Sequence, residues 1–554
     1  MTALPSRFDE TGGTGTRSTR WQVERLNPPN RLWGSNGVAF GPDGRLYVAE
    51  FLAGRISAVD PATGDLDVIV PMDSPVQSPD DLAFGADGSM YIADLVPGRV
   101  WRRGPDGAYT LVCDDVTNPN GITCVGDRLF VNEMKPDGRL LELFPDGRDP
   151  VVLTEGLALG NAMQLGPDGH LYYPHMISAQ VWRIPPDGGA PEVVAEDVHQ
   201  PVAVRFDQGG VLHVLSRGVE GIVTRIDLHG TGSRTLVTSG VVGLDNAAFD
   251  AENRMFVSSY ASGGITELRP DGRTRELVPR GLDGPYGVTV DLGGTVYAAD
   301  HYRLASPADT HEGEPTHGPQ GGGVTTHALL HFSHGIAADG GLLHLTSQYG
   351  TVQTYDPEQR TTRERAAGLR RPLGIAVGPD GSLVVAETDA GRIVAIDDRD
   401  TLTVRAEGLD HPVDVAFDAD GRCYISDDRL GAVLRIEEDG SAVTVADGLG
   451  APQGLVVLGD EIFTVETARR RLRAISLTTG ESRTDAEDLP VGRPPGVVPR
   501  TQPALFAGGM PGAPYLFAGL AVAADDALLL AANGEGTVLR LSPADPEVHG
   551  PQDS

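Results

Sequence analysis

Short apolar runs with strict alternation fill this chain, and clusters of Pro, Asp and Gly punctuate them. A period of two is the signature of half-buried β-strands. The run from Gly37 to Glu50, GVAFGPDGRLYVAE, shows the unit. Val38-Ala-Phe40 is one strand, Gly41-Pro-Asp-Gly44 a turn in which Pro fixes φ and Gly accepts φ > 0, and Leu46-Tyr-Val-Ala49 the returning strand. Gly54–Asp60 and Asp67–Val70 predict a third and a fourth strand. Each unit is thus expected to be a four-stranded antiparallel sheet.

The unit recurs twelve times, starting at Gly37, Asp81, Gly121, Ala162, Ala203, Asn246, Gly287, Gly335, Gly374, Asp414, Gly454 and Gly519. The starts lie about 39 to 48 residues apart, apart from one gap of about 65. A period near 40 with this texture predicts β-propeller blades. Twelve blades in one ring would leave a very wide channel, and seven plus five is less balanced than six plus six. The expectation is an all-β fold of two tandem six-bladed β-propellers: a flexible tail at 1–20, a first propeller at 21–281, a second at 282–545, and a tail at 546–554. The spare strand at Trp21 is expected to complete blade six, and that at Thr274 to complete blade twelve, so that neither ring keeps a free edge. Two Pro/Gly-rich stretches, 302–330 and 481–517, break the rhythm of the second half; the first is read as replacing a third strand. Long loops of this kind are often functional.

Composition narrows the function classes. The formal charge is −33 over 554 residues, with Lys135 the single lysine, which argues against nucleic acid or an anionic membrane as partner. Cys113, Cys124 and Cys423 form no CxxC pair; Cys124 and Cys423 fall inside strands and are expected to be buried. The first twenty residues lack an apolar stretch of signal-peptide type, and no run of 18 apolar residues occurs, so a cytoplasmic protein is expected.

The copies differ where chemistry would be found. The residue before the first strand is Asn36, Asp80, Asn120, Asn161, Val202 and Asp245 in the first six units, but Tyr286, His334, Leu373, Val413, Gln453 and Ala518 in the second six. Turn chemistry alone does not separate the halves. An oxygen-rich ring suits a hard divalent cation, Ca²⁺ or Mg²⁺, held by Asn36, Asp80, Asn120, Asn161 and Asp245. The second strands end mostly in acids in both halves, which reads as carboxylates bonding the backbone of the following loop. His175 is the imidazole at that position; it or Glu133 is the candidate general base. In the second half, Tyr286, His301, Tyr302, His334, Gln348 and Tyr349 form a candidate substrate pocket beneath the insertion from Phe506 to Phe517. The histidines between 301 and 334 (His301, His311, His317, His327, His331, His334) show no helix-facing ligand pair.

GIAVGPDGSLVVAETDAGRIVAID (Gly374–Asp397) resembles NHL-type and streptogramin lyase repeats. The starts SNGVAF (Ser35), SPDDLAF (Ser78) and PNGITC (Pro119) resemble the gluconolactonase, regucalcin and luciferin-regenerating enzyme family. That resemblance implies a six-bladed propeller with a divalent metal at its blade starts and hydrolysis of lactones or some phosphoesters. Asn120 and Asp245 match the family's Asn and Asp ligands, whereas Asn36 stands where the family places Glu. The expected function is a divalent-metal-dependent hydrolase of a small lactone or ester. A metal-assisted C–O lyase, a cyclase or condensing enzyme using the second propeller, and a non-catalytic binding propeller are the alternatives.

Overall fold

The computed structural model describes residues 5–10, 15–228, 230, 232–307, 323–498 and 514–544. His311, His317, Phe506, the side chain of His331 and the tail at 546–554 lie outside the described residues. Almost every element is a strand, and the strands form eleven sheets, ten of four strands and one of six. No helix among the described residues is long and apolar enough to cross a membrane.

The six-stranded sheet is two blades joined. Val296–Pro307 pairs with Gly287–Val290 through its first half and with Val324–Asp339 through its second. Val324–Asp339 then continues as the inner strand of the next blade, pairing with Leu342–Ser347. Twelve blades result, in two closed rings. In the first, the inner strands run from Ser35–Phe40 round to Leu244–Phe249, which packs back against Ser35–Phe40. In the second, Gly287–Val290 meets Leu520–Val522.

Crowding around each channel explains the small residue that begins most units. A Cβ on Gly37 would come within 2.5 Å of the Asp81 Cα, and one on Gly335 within 2.2 Å of the Leu373 carbonyl oxygen. The turn glycine has a different reason: Gly44 adopts φ +79 in open space, where conformation, not crowding, favours glycine; Asn253 and Asp526 take the same position in blades six and twelve at φ 61. Between blades, alternate residues interlock; Ala49, Ile56 and Ala58 of blade one pack on Leu82 and Ile92 of blade two.

Four expectations are corrected. Trp21–Arg25 pairs with Thr537–Pro543 and completes blade twelve, while Thr274–Val278 pairs with Ile265–Leu268 and completes blade six. A short turn around Pro270-Asp271-Gly272 joins the latter two strands, and so short a hairpin closes at less entropic cost than a distant pairing. The first ring therefore closes on itself, and it is inserted into the second, whose last blade needs the start of the chain. Second, blade seven keeps its third strand: His301–Pro307 pairs with Val324–Ser333, and the insertion follows that strand. The later break begins after Ser482–Glu487, which is a paired fourth strand. Third, Cys124 is half-buried, although Cys423 is buried as expected; burial pushes both thiols up to about 12.

Fourth, the described part of the N-terminal tail is tied down. Arg7 is only 2 % exposed. Its guanidinium donates to the carbonyls of Leu32, Leu282, Asn533 and Gly534 and stacks 4.4 Å over the Trp33 ring. These carbonyls belong to both chain crossings between the rings and to blade twelve. Burial lowers Arg7 to about 10, which leaves it charged at neutral pH.

The two propellers meet by the same face. Trp33, Phe51, Leu52, Leu95, Met134 and Tyr260, from the loops at the second-strand ends of the first ring, form one apolar cluster with Tyr302, Phe332 and Tyr349 of the second. Tyr260 and Tyr302 meet edge to face across the seam at 5.0 Å. Replacing Arg7 by Ala removes a charged donor from four buried carbonyls, so Arg7→Ala is expected to lose about 3 kcal/mol of stability. Differential scanning calorimetry checks this; an unchanged Tm would show that the tail does not lock the rings.

Candidate functional site

The second-strand carboxylates are structural. Glu50 accepts from the Trp33 N–H at 2.8 Å and from Arg55 at 2.7 Å. Asp94 accepts from the Gln77 and Ser78 amides, and Glu387 and Glu466 from the amides of Arg370 and Gly450. Each of these acids thus ties down the loop that precedes its own blade; the bond to the following segment that the sequence predicts is also made, by Asp427 with the Leu430 amide and by Glu133 with the Arg139 amide. Glu133 belongs to this set: it accepts from the Thr117 amide and from Arg139, and the Arg139 guanidinium holds its carboxyl below the usual range against the effect of burial. His175 fills the same role, since the Ala158 N–H points at its Nδ1 at 3.4 Å. Its ring stacks on Trp182 at 5.0 Å, Nε2 is buried without a partner among the described residues, and burial lowers its pKa to about 4. No hydrogen bond among the described residues joins Glu133 or His175 directly to the rim.

The rim itself forms. Asn36, Asp80, Asn120, Asn161 and Asp245 begin the inner strands of the first ring and are all buried. Asn36 Nδ2 donates to Asp80 Oδ1 at 3.3 Å. Asn120 Nδ2 points at the Met134 sulfur at 3.1 Å. The Oδ1 atoms of Asn36 and Asn120 are buried and accept nothing among the described residues. Asn161 differs, because its Oδ1 accepts from the Ala162 amide. The Asp245 carboxylate accepts no hydrogen bond among the described residues. Burial first, and then the neighbouring acids Asp81 and Asp245, push Asp80 well up; burial and Asp81 raise Asp245 likewise.

This donor set fits a hard cation. Two amide oxygens and the Asp245 carboxylate lack partners among the described residues, and Asp80 has the Asn36 amide alone, in a site where charge is costly; a cation would relieve both deficits. Among the described residues no three His, Cys, Asp or Glu side chains come together as metal ligands, so any such ion would depend on the amides. One layer below lies a plug that the sequence reading missed. Asp81 accepts from Asn246 Nδ2 at 3.1 Å, while Arg205 donates to Asn246 Oδ1 and to the carbonyls of Met163, Val204 and Ala247. It separates the rim from an opening of about 530 Å³ on the far face.

The second set does not make an open pocket. Tyr286 stacks on His334 at 4.7 Å, and the two nitrogens of His334 lie 3.1 Å from the carbonyls of Phe332 and Tyr515. The end of the long insertion closes this channel: the Phe517 carbonyl accepts from Asn533 Nδ2, and the Ala518 amide donates to Gln453. His301 packs between Tyr286 and Tyr302, with both ring nitrogens unpaired among the described residues, and both amide atoms of Gln348 are unpaired too. Tyr302 and Tyr349 instead project into the seam beside Phe332. Burial first, then Tyr349 and Asp80, raise the Tyr302 phenol well above its ordinary value.

A signal for the seam was present in the sequence. The residue after each second strand is Phe51, Leu95, Met134, Met176, Arg217 and Tyr260 in the first half, but His301, Gln348, Thr388, Asp428, Thr467 and Asn533 in the second. Five apolar residues at exposed loop positions mark a covered face, and Arg217 is the exception among them.

The fold makes the chain a β-propeller protein. No family model and no curated protein matches it. Solved structures that resemble it include a streptogramin B lyase (18% identity, 50% of this chain and 95% of that one, TM-score 0.37). A gluconolactonase from Xanthomonas campestris is similar at 17% identity over 47% of this chain and 95% of its own (TM-score 0.36). The extracellular domain of a one-component system from B. thetaiotaomicron is similar at 10% identity over 96% of this chain and 84% of its own (TM-score 0.31). These are likenesses of fold.

In the second channel, Asp414 takes the position that Asp81 holds in the first. It accepts from the amides of Val415 and Leu455, and burial raises its pKa to about 7. A carboxyl with a raised folded pKa contributes stability that is full below about pH 4 and lost as pH rises through about 7. Asp414→Asn is therefore expected to remove part of the decline in stability between pH 4 and 8, about 2 to 4 kcal/mol. Denaturant titrations across that range check the sign; parallel pH profiles for variant and parent would refute it.

Proposed function

We propose that the protein is a divalent-cation-dependent hydrolase of a small-molecule ester or lactone, with its chemistry at the rim of the first propeller beneath the seam. The observation that carries this reading is the set of unpartnered oxygens on Asn36 and Asn120 beside the buried carboxylates of Asp80 and Asp245. Asn36, Asp80, Asn120 and Asp245 would hold the ion, and Asn161 would support Asn120 by sharing the Met134 sulfur with it. When bound, the cation polarises a carbonyl and lowers the pKa of a coordinated water. The apolar seam of Phe51, Leu95, Tyr302 and Phe332 excludes bulk water, which strengthens every charge interaction at the rim. Tyr302, kept protonated by burial, would donate to a substrate oxygen.

Calorimetric titration with CaCl₂ and MgCl₂ tests the cation, and a panel of lactones and aryl esters tests the activity. One ion per chain is expected, with affinity weakened at least about tenfold in Asp245→Asn and in Asn36→Ala. Turnover should stop with EDTA and return with the ion, and the product should gain one water. Activity that survives complete chelation, or a product of unchanged mass, would overturn the reading.

A further inference from the structure

Beside the rim, the seam opens to solvent through a cleft of about 760 Å³. Its walls come from both propellers: Leu159, Met176, Arg217 and Tyr260 from the first, Leu329 from the second. Two features distinguish it. Ile177 and Val219 stand at its mouth 64% and 52% exposed, an arrangement that favours an apolar guest. Within it, Arg217 lies 5.2 Å over the Tyr260 ring and makes no hydrogen bond or ion pair through its guanidinium among the described residues. Most arginines of this acidic chain are paired with carboxylates; Arg217 is held by an aromatic face and left with its donors open. Its charge also acts on Asp245 and Tyr349, lowering both against the effect of burial. Ser216, next in the chain and 1% exposed, lines the same cleft with its hydroxyl unpaired among the described residues. The acid in the lining, Glu220, is exposed.

We propose that this cleft is the specificity site of the enzyme: it takes a small molecule with an apolar body and an anionic group, and Arg217 pairs with the anion. A planar guanidinium offers two parallel donors to a carboxylate or sulfonate, and its aromatic platform holds it in place without neutralising it. The substrate class is then an amphipathic acid whose ester or lactone carbonyl lies a few bonds from the charge, within reach of the rim. This rests on the proposed rim chemistry for the fate of the ligand, but not for its binding.

The test uses two fluorescent probes with one ring system. 8-Anilinonaphthalene-1-sulfonate carries an anion, and N-phenyl-1-naphthylamine does not. Arg217→Gln is expected to weaken the sulfonate about tenfold and to change the neutral probe by less than about twofold. Ile177→Ser, at an exposed position that does not endanger folding, should weaken both probes alike. Equal affinity of parent and Arg217→Gln for the sulfonate, or no effect of Ile177→Ser on either probe, would overturn the proposal. Calcium titration of Arg217→Gln separates the two readings. If the parent binds no cation yet Arg217 still selects the sulfonate, the rim assignment fails and the cleft assignment stands.

Discussion

The centre of this molecule depends on two propellers turned toward one another by the same face. A single propeller presents its upper loops to water, so those loops are ordinarily polar. Here Phe51, Leu52, Leu95, Met134 and Tyr260 would form a large exposed apolar patch if the second ring were absent. The seam buries them, and in doing so removes the Asn/Asp rim from solvent. Carboxylates such as Asp80 and Asp245 are costly to bury, and they tolerate that place through polar neighbours and the charge that a ligand would bring. The chemistry of the rim is therefore a consequence of the interface, not of the first propeller alone.

Much of this was legible in the sequence, and what was not has a physical reason. Period, turn and alternation gave the blades, because GPDG turns and apolar alternation are local signals. The position before each first strand gave the rim, because a propeller maps equal positions onto one circle. The ring closure was misassigned, since Trp21–Arg25 and Thr274–Val278 carry similar strand patterns and what separates them is the length of the connecting turn. The tail around Arg7 was read as free because a single arginine in a polar stretch does not announce four carbonyl acceptors drawn from distant parts of the chain. Arg217 stands out in the sequence only at the position following each second strand, where its five counterparts in the first half are apolar.

The blade acids and the rim acids illustrate how one residue type takes two roles. Glu50 and Glu133 meet backbone amides and arginines, and Asp94 meets two amides, the Ser78 hydroxyl and the Trp101 indole, so these carboxylates are satisfied inside the blade. Asp80 and Asp245 meet few donors and each other's charge. In blade two both kinds occur, Asp80 and Asp94, 14 residues apart in the chain; hydrogen bonding separates them by function. His175 shows the same logic in reverse, an imidazole accepting the loop amide where its counterparts use a carboxylate.

The insertion of one ring within the other also dictates an order of assembly. The first ring is complete once the ribosome has delivered the strand ending at Val278, and every one of its blades is built from neighbouring strands. The second ring cannot close until Thr537–Pro543 emerges and finds Trp21–Arg25, which was made before the whole first ring. A finished propeller thus hangs between the two halves of an unfinished one, and its apolar upper face stays uncovered for the time needed to make the rest of the chain.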